Sequence, residues 1–125
     1  ILFFNLGVVS YNNKEIQDAD KFYVKAIELD PKYVDAYLNL AILKLDAEKS
    51  LIEKMNKLGT SAPEMKKYDV LKKQREDVYK SAIPYLKKVS ELVPDNIEAI
   101  KTLIGVYNAL EMFDEAKVLK AQLKK

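Results

Sequence analysis

The 125-residue sequence contains neither cysteine nor histidine. Without cysteine there is no disulfide framework, no zinc-thiolate site and no thiol nucleophile, and the redox compartment is left open. Without histidine, the commonest general base and the commonest metal ligand near neutral pH are lost together. Glycine and proline are scarce, at three and four residues, and no strand-length stretch alternates β-branched with polar side chains. An all-α fold follows. The longest apolar run, ILFFNLGVV at residues 1–9, is interrupted by Asn5 and falls well short of the roughly 20 residues that span a bilayer. It also lacks the basic lead-in and small-residue cleavage site of a signal peptide. The chain opens on Ile1 within a helical pattern, which reads as a fragment of a longer chain.

With 49% apolar and 32% charged residues, the chain sits in the ordinary globular range and is long enough for one domain with a buried core. Catalytic constellations are missing: there is no glycine-rich phosphate loop, no Ser/His pair and no cluster of metal ligands. Asp18 and Asp20 open like a calcium loop, but its glycine and terminal glutamate are absent and both lie in a helical pattern. The expectation is no enzyme activity, no cofactor and no metal.

What the sequence does contain is an internal repeat. ADKFYVKAIELDP at 19–31 and AIPYLKKVSELVP at 82–94 place Ala19 over Ala82, Tyr23 over Leu86, Ala26 over Val89 and Pro31 over Pro94, all at one constant offset. A third copy follows and puts Ala116, Lys120 and Leu123 in the first three slots. Upstream, Leu6, Leu40 and Leu103 share one slot, and Phe3, Tyr37 and Ile100 share another.

Phe3-x2-Leu6-Gly7 with Tyr11, followed by Ala19-x3-Tyr23, Ala26 and Pro31, resembles the tetratricopeptide repeat, a helix-turn-helix unit of about 34 residues. Departures are local: Ser10 stands in the usual tyrosine slot, and Ala41 and Ile104 replace the glycine of the later repeats. The resemblance implies an antiparallel helix-pair solenoid in one domain, 1–125, with repeats at 1–33, 34–96 and 97–125. Six helices are expected near 1–12, 15–30, 34–58, 62–93, 96–110 and 113–124. Small residues (Gly7, Ala19, Ala26, Ala41, Ala82, Ala116) would let helices approach, and Phe3, Tyr23, Tyr37 and Leu86 would fill the gaps.

The second repeat is longer than the others because of an insertion at the turn between its helices. Leu45, Leu51, Ile52, Met55 and Leu58 continue the first helix, and GTSAPE at 59–64 breaks it. Gly59 suits a left-handed C-terminal position, and Ser61 with Glu64 forms a capping box around Pro63. The result is a protruding αα-hairpin over about 46–81, with an expected seam of Leu51, Met55, Leu58, Met65, Tyr68 and Leu71. Pro84 would then lie deep in the returning helix, leaving the Lys80 carbonyl without its donor, with a kink near 80–83 relieved by Ser81 or water. Bacterial tetratricopeptide proteins with such an extended hairpin are similar, and many are exported. That similarity implies a lean toward the bacterial cell envelope or periplasm, with the cytoplasm as alternative.

The resemblance also implies a concave groove lined by Phe4, Asn5, Val8, Tyr11 and Asn12, then Asp35, Leu38, Asn39, Ile42 and Leu45, then Lys101, Thr102, Gly105 and Asn108. Asn5 and Asn39 share a slot, and an asparagine amide can bond both N–H and C=O of an extended peptide. A carboxylate clamp of the chaperone-binding kind is not expected, since Glu98 and Thr102 stand where it needs basic residues. Charge is uneven. Residues 48–90 carry 11 basic and 6 acidic groups, against 5 and 7 before them and 5 and 6 after. Lys66, Lys73, Lys80 and Lys87 recur at a constant spacing on the arm, a basic stripe facing solvent or an anionic surface. Protein or peptide binding in the groove or on the arm is the favoured reading. Self-assembly through the uncovered N-terminal end is the first alternative, and nucleic-acid or anionic-surface binding by the arm the second. The stripe has no interleaved aromatics, which argues against nucleic acid.

Overall fold

The computed structural model describes residues 1–123 and consists, among these, of six α-helices and no strand. They are α1 (Leu2–Asn12), α2 (Ile16–Leu29), α3 (Val34–Asn56), α4 (Ala62–Leu92), α5 (Ile97–Ala109) and α6 (Phe113–Leu123). The ends agree with the sequence expectation to within two residues. Lys124 and Lys125, the last residues of the expected third repeat, lie outside the described residues. Helices pack in pairs α1–α2, α3–α4 and α5–α6, and the pairs join through α2–α3 and α4–α5.

Small residues set the distance between helices. Ala19, Ala26, Ala41, Ala82 and Ala116 are all buried, as are Ala36 and Ala99. Gly7 marks the tightest crossing, where a Cβ would lie 2.6 Å from Cε1 and 2.7 Å from Cδ1 of Tyr23. The buried Tyr23 ring therefore occupies the volume a side chain at position 7 would need. One cluster is built on Ala19, Tyr23, Leu40 and Leu43. A larger one runs from Tyr37 and Ala41 through Leu86 and Val89 to Leu103 and Tyr107. Ile27 and Tyr85 pack against both, so the core is continuous.

The short turns of the first and third pairs are built alike. Lys14 and Glu111, in equivalent turns of different repeats, both have positive φ, 64° and 61°. In each turn the following amide closes back onto the helix, Glu15 N–H to Ser10 C=O at 2.8 Å and Met112 N–H to Tyr107 C=O at 2.8 Å. This is the left-handed helix-ending motif, here without glycine. The equivalent position in the second pair is Glu48, and there α3 runs straight on as a helix. In repeat register α3 continues past the end of α1 by about 15 Å, and α4 begins about 25 Å before the start of α2, at roughly 1.5 Å per residue.

Several local expectations need correction. Gly59 is not left-handed, because no described glycine has positive φ. Instead its N–H donates to Glu64 Oε2 at 2.6 Å, and a Cβ on Gly59 would meet Glu64 Oε1 at 3.0 Å. The cap itself forms, with Ser61 Oγ accepting from Glu64 N–H and donating to Glu64 Oε1 at 2.7 Å. These bonds, that from Gly59 foremost, hold the Glu64 carboxyl below its ordinary pKa. Met65 and Tyr68 are exposed and do not belong to the seam, which Leu51, Met55, Leu58 and Leu71 form with less area. Ser81 does not relieve the Lys80 carbonyl; its hydroxyl donates to Val78 C=O at 2.6 Å. α4 passes through Pro84 as one helix. Lys80 and Pro84 are both exposed, so the freed carbonyl lies on the solvent side and water can bond it.

Gly7 and Gly105 should respond oppositely to alanine. Gly7→Ala must displace a buried ring and should cost about 1–3 kcal/mol. Gly105 has nothing within 4 Å of a built Cβ, so Gly105→Ala should gain about 0.5–1 kcal/mol from helix propensity. Urea midpoints with unchanged slopes would check both.

Candidate functional site

Helices α1, α3 and α5 carry the residues expected in the groove. Its apolar members are committed to the core: Phe4 lies 5.1 Å from the Tyr33 ring and 5.8 Å from that of Tyr23. Val8 packs on the same cluster, while Leu38, Ile42 and Leu45 pack on the larger one. They form a floor. Asn5, Asn12, Asp35, Lys101 and Gly105 are exposed, and Tyr11, Asn39, Thr102 and Asn108 are half-buried.

Three of the polar members have internal partners that the sequence does not reveal. Tyr11 donates its phenol to Asp46 Oδ2, tying α1 to α3. The bond to Asp46, with burial and the carboxylate charge behind it, pushes the Tyr11 pKa up to about 12. Asn39 Nδ2 stands 3.5 Å from Tyr23 OH, the limit of a hydrogen bond, so its amide oxygen keeps its acceptor capacity. Burial raises the Tyr23 pKa, with the Asn39 contact working against it. Thr102 Oγ1 donates to Glu98 C=O at 2.8 Å, a back-bond within α5.

Lys66, Lys73, Lys80 and Lys87 are all exposed, but only Lys66 and Lys73 lie on the arm; Lys80 and Lys87 lie on the part of α4 that packs into the stack, so the stripe runs past the arm. The residue that organises the base of the arm is the chain's single arginine. Arg75 Nε donates to Glu48 Oε1 at 2.9 Å and its terminal nitrogen to Tyr79 OH at 3.1 Å, while Tyr79 donates to the same Glu48 oxygen. Burial opposes the charge of Arg75, but these two partners outweigh it and raise its pKa. Burial and the bond to Glu48 raise that of Tyr79. The signal for this triad was the slot itself, since Glu48 stands where Lys14 and Glu111 turn the chain. Nearer the tip, Lys54, Lys57 and Lys67 surround Leu58, Val70 and Leu71 in a hollow of about 450 Å³.

Three α1 residues in packing slots are exposed. Leu2, Leu6 and Val9 are 67%, 37% and 56% exposed. Their counterparts are Ala36, Leu40 and Leu43 at 0%, 0% and 3%, then Ala99, Leu103 and Val106 at 0%, 2% and 3%. Among the described residues no helix is long and apolar enough to cross a membrane, and no group of three or more acidic side chains gathers for a metal.

Paired helices in a repeating register define an all-α helical-repeat fold. Two family models described as tetratricopeptide repeat match the chain, one over residues 1–33 and one over 22–62. A human relative, described as Protein O-mannosyl-transferase TMTC3, is 28% identical over 127 residues. The alignment covers 96% of this chain and 13% of that relative, so the chain spans a small part of its length. The family matches over residues 1–62, together with the six paired helices, support a tetratricopeptide-type repeat fold, and such repeats generally mediate protein–protein interaction or scaffolding.

The Tyr11–Asp46 bond should show in pH dependence. Because the folded state holds the Tyr11 proton up to about pH 12, the bond contributes fully below the ordinary tyrosine value near 10 and is lost as pH climbs between the two. Tyr11→Phe should cost about 1 kcal/mol at pH 7. It should cost the same at pH 9 and progressively less above pH 10. Denaturant titrations at each pH, with phenolate absorbance, would read both effects.

Proposed function

We propose that the chain is a non-catalytic, protein-binding domain of three repeats, at 1–33, 34–96 and 97–125, that holds an extended peptide segment along α1, α3 and α5. The observation that carries this reading is the shared slot of Asn5 and Asn39 on successive first helices, beside a floor of Val8, Leu38 and Ile42 already fixed by packing. Side chains that need not reorganise lose little entropy on binding. Asn5 contributes both halves of an amide, and Asn39 at least its acceptor. Asn12, Asp35, Lys101 and Asn108 would set the register of the bound segment, with Tyr11 and Thr102 acting chiefly as supports.

A second reading is supported at the arm, where an apolar centre at Val70 is ringed by Lys54, Lys57 and Lys67. That chemistry fits an acidic protein surface. The stripe of Lys66, Lys73, Lys80 and Lys87 would add attraction from a distance, and it leaves an anionic surface as the lesser alternative. A third, self-assembly or stacking of another helix pair on the N-terminal face, draws on the bare slots of Leu2, Leu6 and Val9.

Photo-crosslinking side chains placed singly at Asn12, Val70 and Leu2 in cells separate the three readings. Groove binding gives a partner adduct at Asn12 that falls several-fold when Asn5→Ala and Asn39→Ala are combined, each amide being worth on the order of 1 kcal/mol net. The variant should keep its helical content and melting transition. Adducts at Val70 or Leu2 alone would move the site to the arm or to the end face.

A further inference from the structure

We propose that the cleft between α4 and α6, floored by α5, is a docking site for a protein segment that inserts a tyrosine side chain. It lies between the second helices of the second and third repeats, apart from the amide-bearing face of the first helices. The cleft has a volume of about 800 Å³, with Ile100, Leu103 and Tyr107 on its floor and Ser90 and Leu119 on its walls. That size is within the range of clefts that bury a ligand or several side chains.

The repeat register shows why the space is there. Residue 90 corresponds to Ile27, residue 119 to Tyr85 and residue 107 to Lys44. At the first junction, between α2 and α4, those three residues close the gap. Ile27 and Tyr85 pack against both core clusters, and Lys44 lies over the Tyr85 ring at 5.9 Å while bonding Asp20 at 3.0 Å. At the second junction a serine replaces the isoleucine and a leucine replaces the tyrosine. Both changes remove volume, the third position carries Tyr107 in place of Lys44, and the remaining lining is largely apolar with Lys87, Asp95, Glu115 and Gln122 at its edges.

Two observations define the occupant. The first junction, with the same backbone plan, is filled by a phenol, so an aromatic ring of that size fits between second helices at this spacing. The second is Ser90 Oγ, a buried side-chain oxygen with no hydrogen-bond partner. A buried hydroxyl left unpaired is destabilising. Ser90 lines the cleft but its Oγ is turned away from solvent, so engaging a ligand requires a χ1 rotation, after which a phenol can act as donor or acceptor and a purely apolar side chain cannot. Lys87 on the α4 wall and Glu115 on the α6 wall flank the opening and suit the polar backbone on either side of an inserted tyrosine.

The test uses 4-methylphenol, which is a tyrosine side chain without its backbone, with toluene as its phenylalanine counterpart and N-acetyltyrosinamide as the peptide-like probe. Each is titrated into isotope-labelled protein and followed by amide chemical shift. Saturable shifts at Leu103, Tyr107 and Leu119 are expected, with 4-methylphenol binding about fivefold more tightly than toluene, the value of one net hydrogen bond. N-acetyltyrosinamide should bind at least as well as 4-methylphenol. Ser90→Ala should bring the phenol and toluene within twofold of each other. Leu119→Tyr, alone or with Ser90→Ile, restores the first junction's filling and should weaken every probe at least tenfold while raising the melting temperature. No saturable shift at these residues, equal binding of phenol and toluene to the parent protein, unchanged binding to Leu119→Tyr, or exclusion of N-acetyltyrosinamide would each overturn the proposal.

Discussion

The stack depends on close approach between helices at residues that carry almost no side chain. Short amphipathic helices such as α1, α2, α5 and α6 have marginal stability alone and gain it by burying their apolar stripes on a neighbour. How much they bury is set by how near the neighbour can come. Gly7 under Tyr23 is the extreme case, and the run of buried alanines from Ala19 to Ala116 repeats the device across every pair. Large side chains then fill what the small ones leave, with Leu40, Leu86 and Val89 completely enclosed. Fully burying each is worth roughly 1.5–3 kcal/mol, so truncating any one of them would be felt against the small net stability of a domain.

The same constraint explains where the chain tolerates an insertion. A turn between the two helices of one pair lies outside the crossings, so lengthening it disturbs no small-residue contact. At Lys14 and Glu111 the chain reverses through a left-handed residue, while at Glu48 it continues and grows the arm. Glu48, Arg75 and Tyr79 then bind the two long helices where they leave the stack. Tyr79 is buried and belongs to the main cluster, so the boundary of the arm lies outside it. A cut of residues 47–79 would remove part of the core as well as the projection. Beyond the triad the seam is thin, with Met55 its one buried side chain and Leu51, Leu58 and Leu71 half-buried.

Helix number, helix ends, pairing and the buried alanines were legible in the sequence because each rests on a repeated slot, and a slot read three times corrects its own ambiguities. The capping box of Ser61 and Glu64 was legible because its partners are close neighbours in the chain. Features that depend on a single side chain meeting a distant one were not. Nothing in the spacing of Tyr11 and Asp46, or of Glu48 and Arg75, distinguishes a bonded pair from two surface groups. Met65 and Tyr68 have the right period for a seam, but at the tip the opposing helix no longer covers them. Gly59 looked like a helix-ending glycine; its amide instead meets Glu64 in a tight loop. Of the two amides expected to line a groove, Asn39 lies against Tyr23 while Asn5 stands exposed, a difference no spacing reveals.

The crossings hold the stack together, and the arm beyond Tyr79 rests on it without sharing its stability. Native-state hydrogen exchange on the whole chain tests this most directly, because it reads the opening free energy of each segment separately. The account predicts that amides at 19–26, 36–43, 82–89 and 99–107 exchange only through global unfolding and respond together to added denaturant. Amides at 62–72 should exchange far faster, through local opening that denaturant barely affects. Protection at 62–72 equal to that of the core, with the same denaturant dependence, would mean that arm and stack form one cooperative unit and would contradict it.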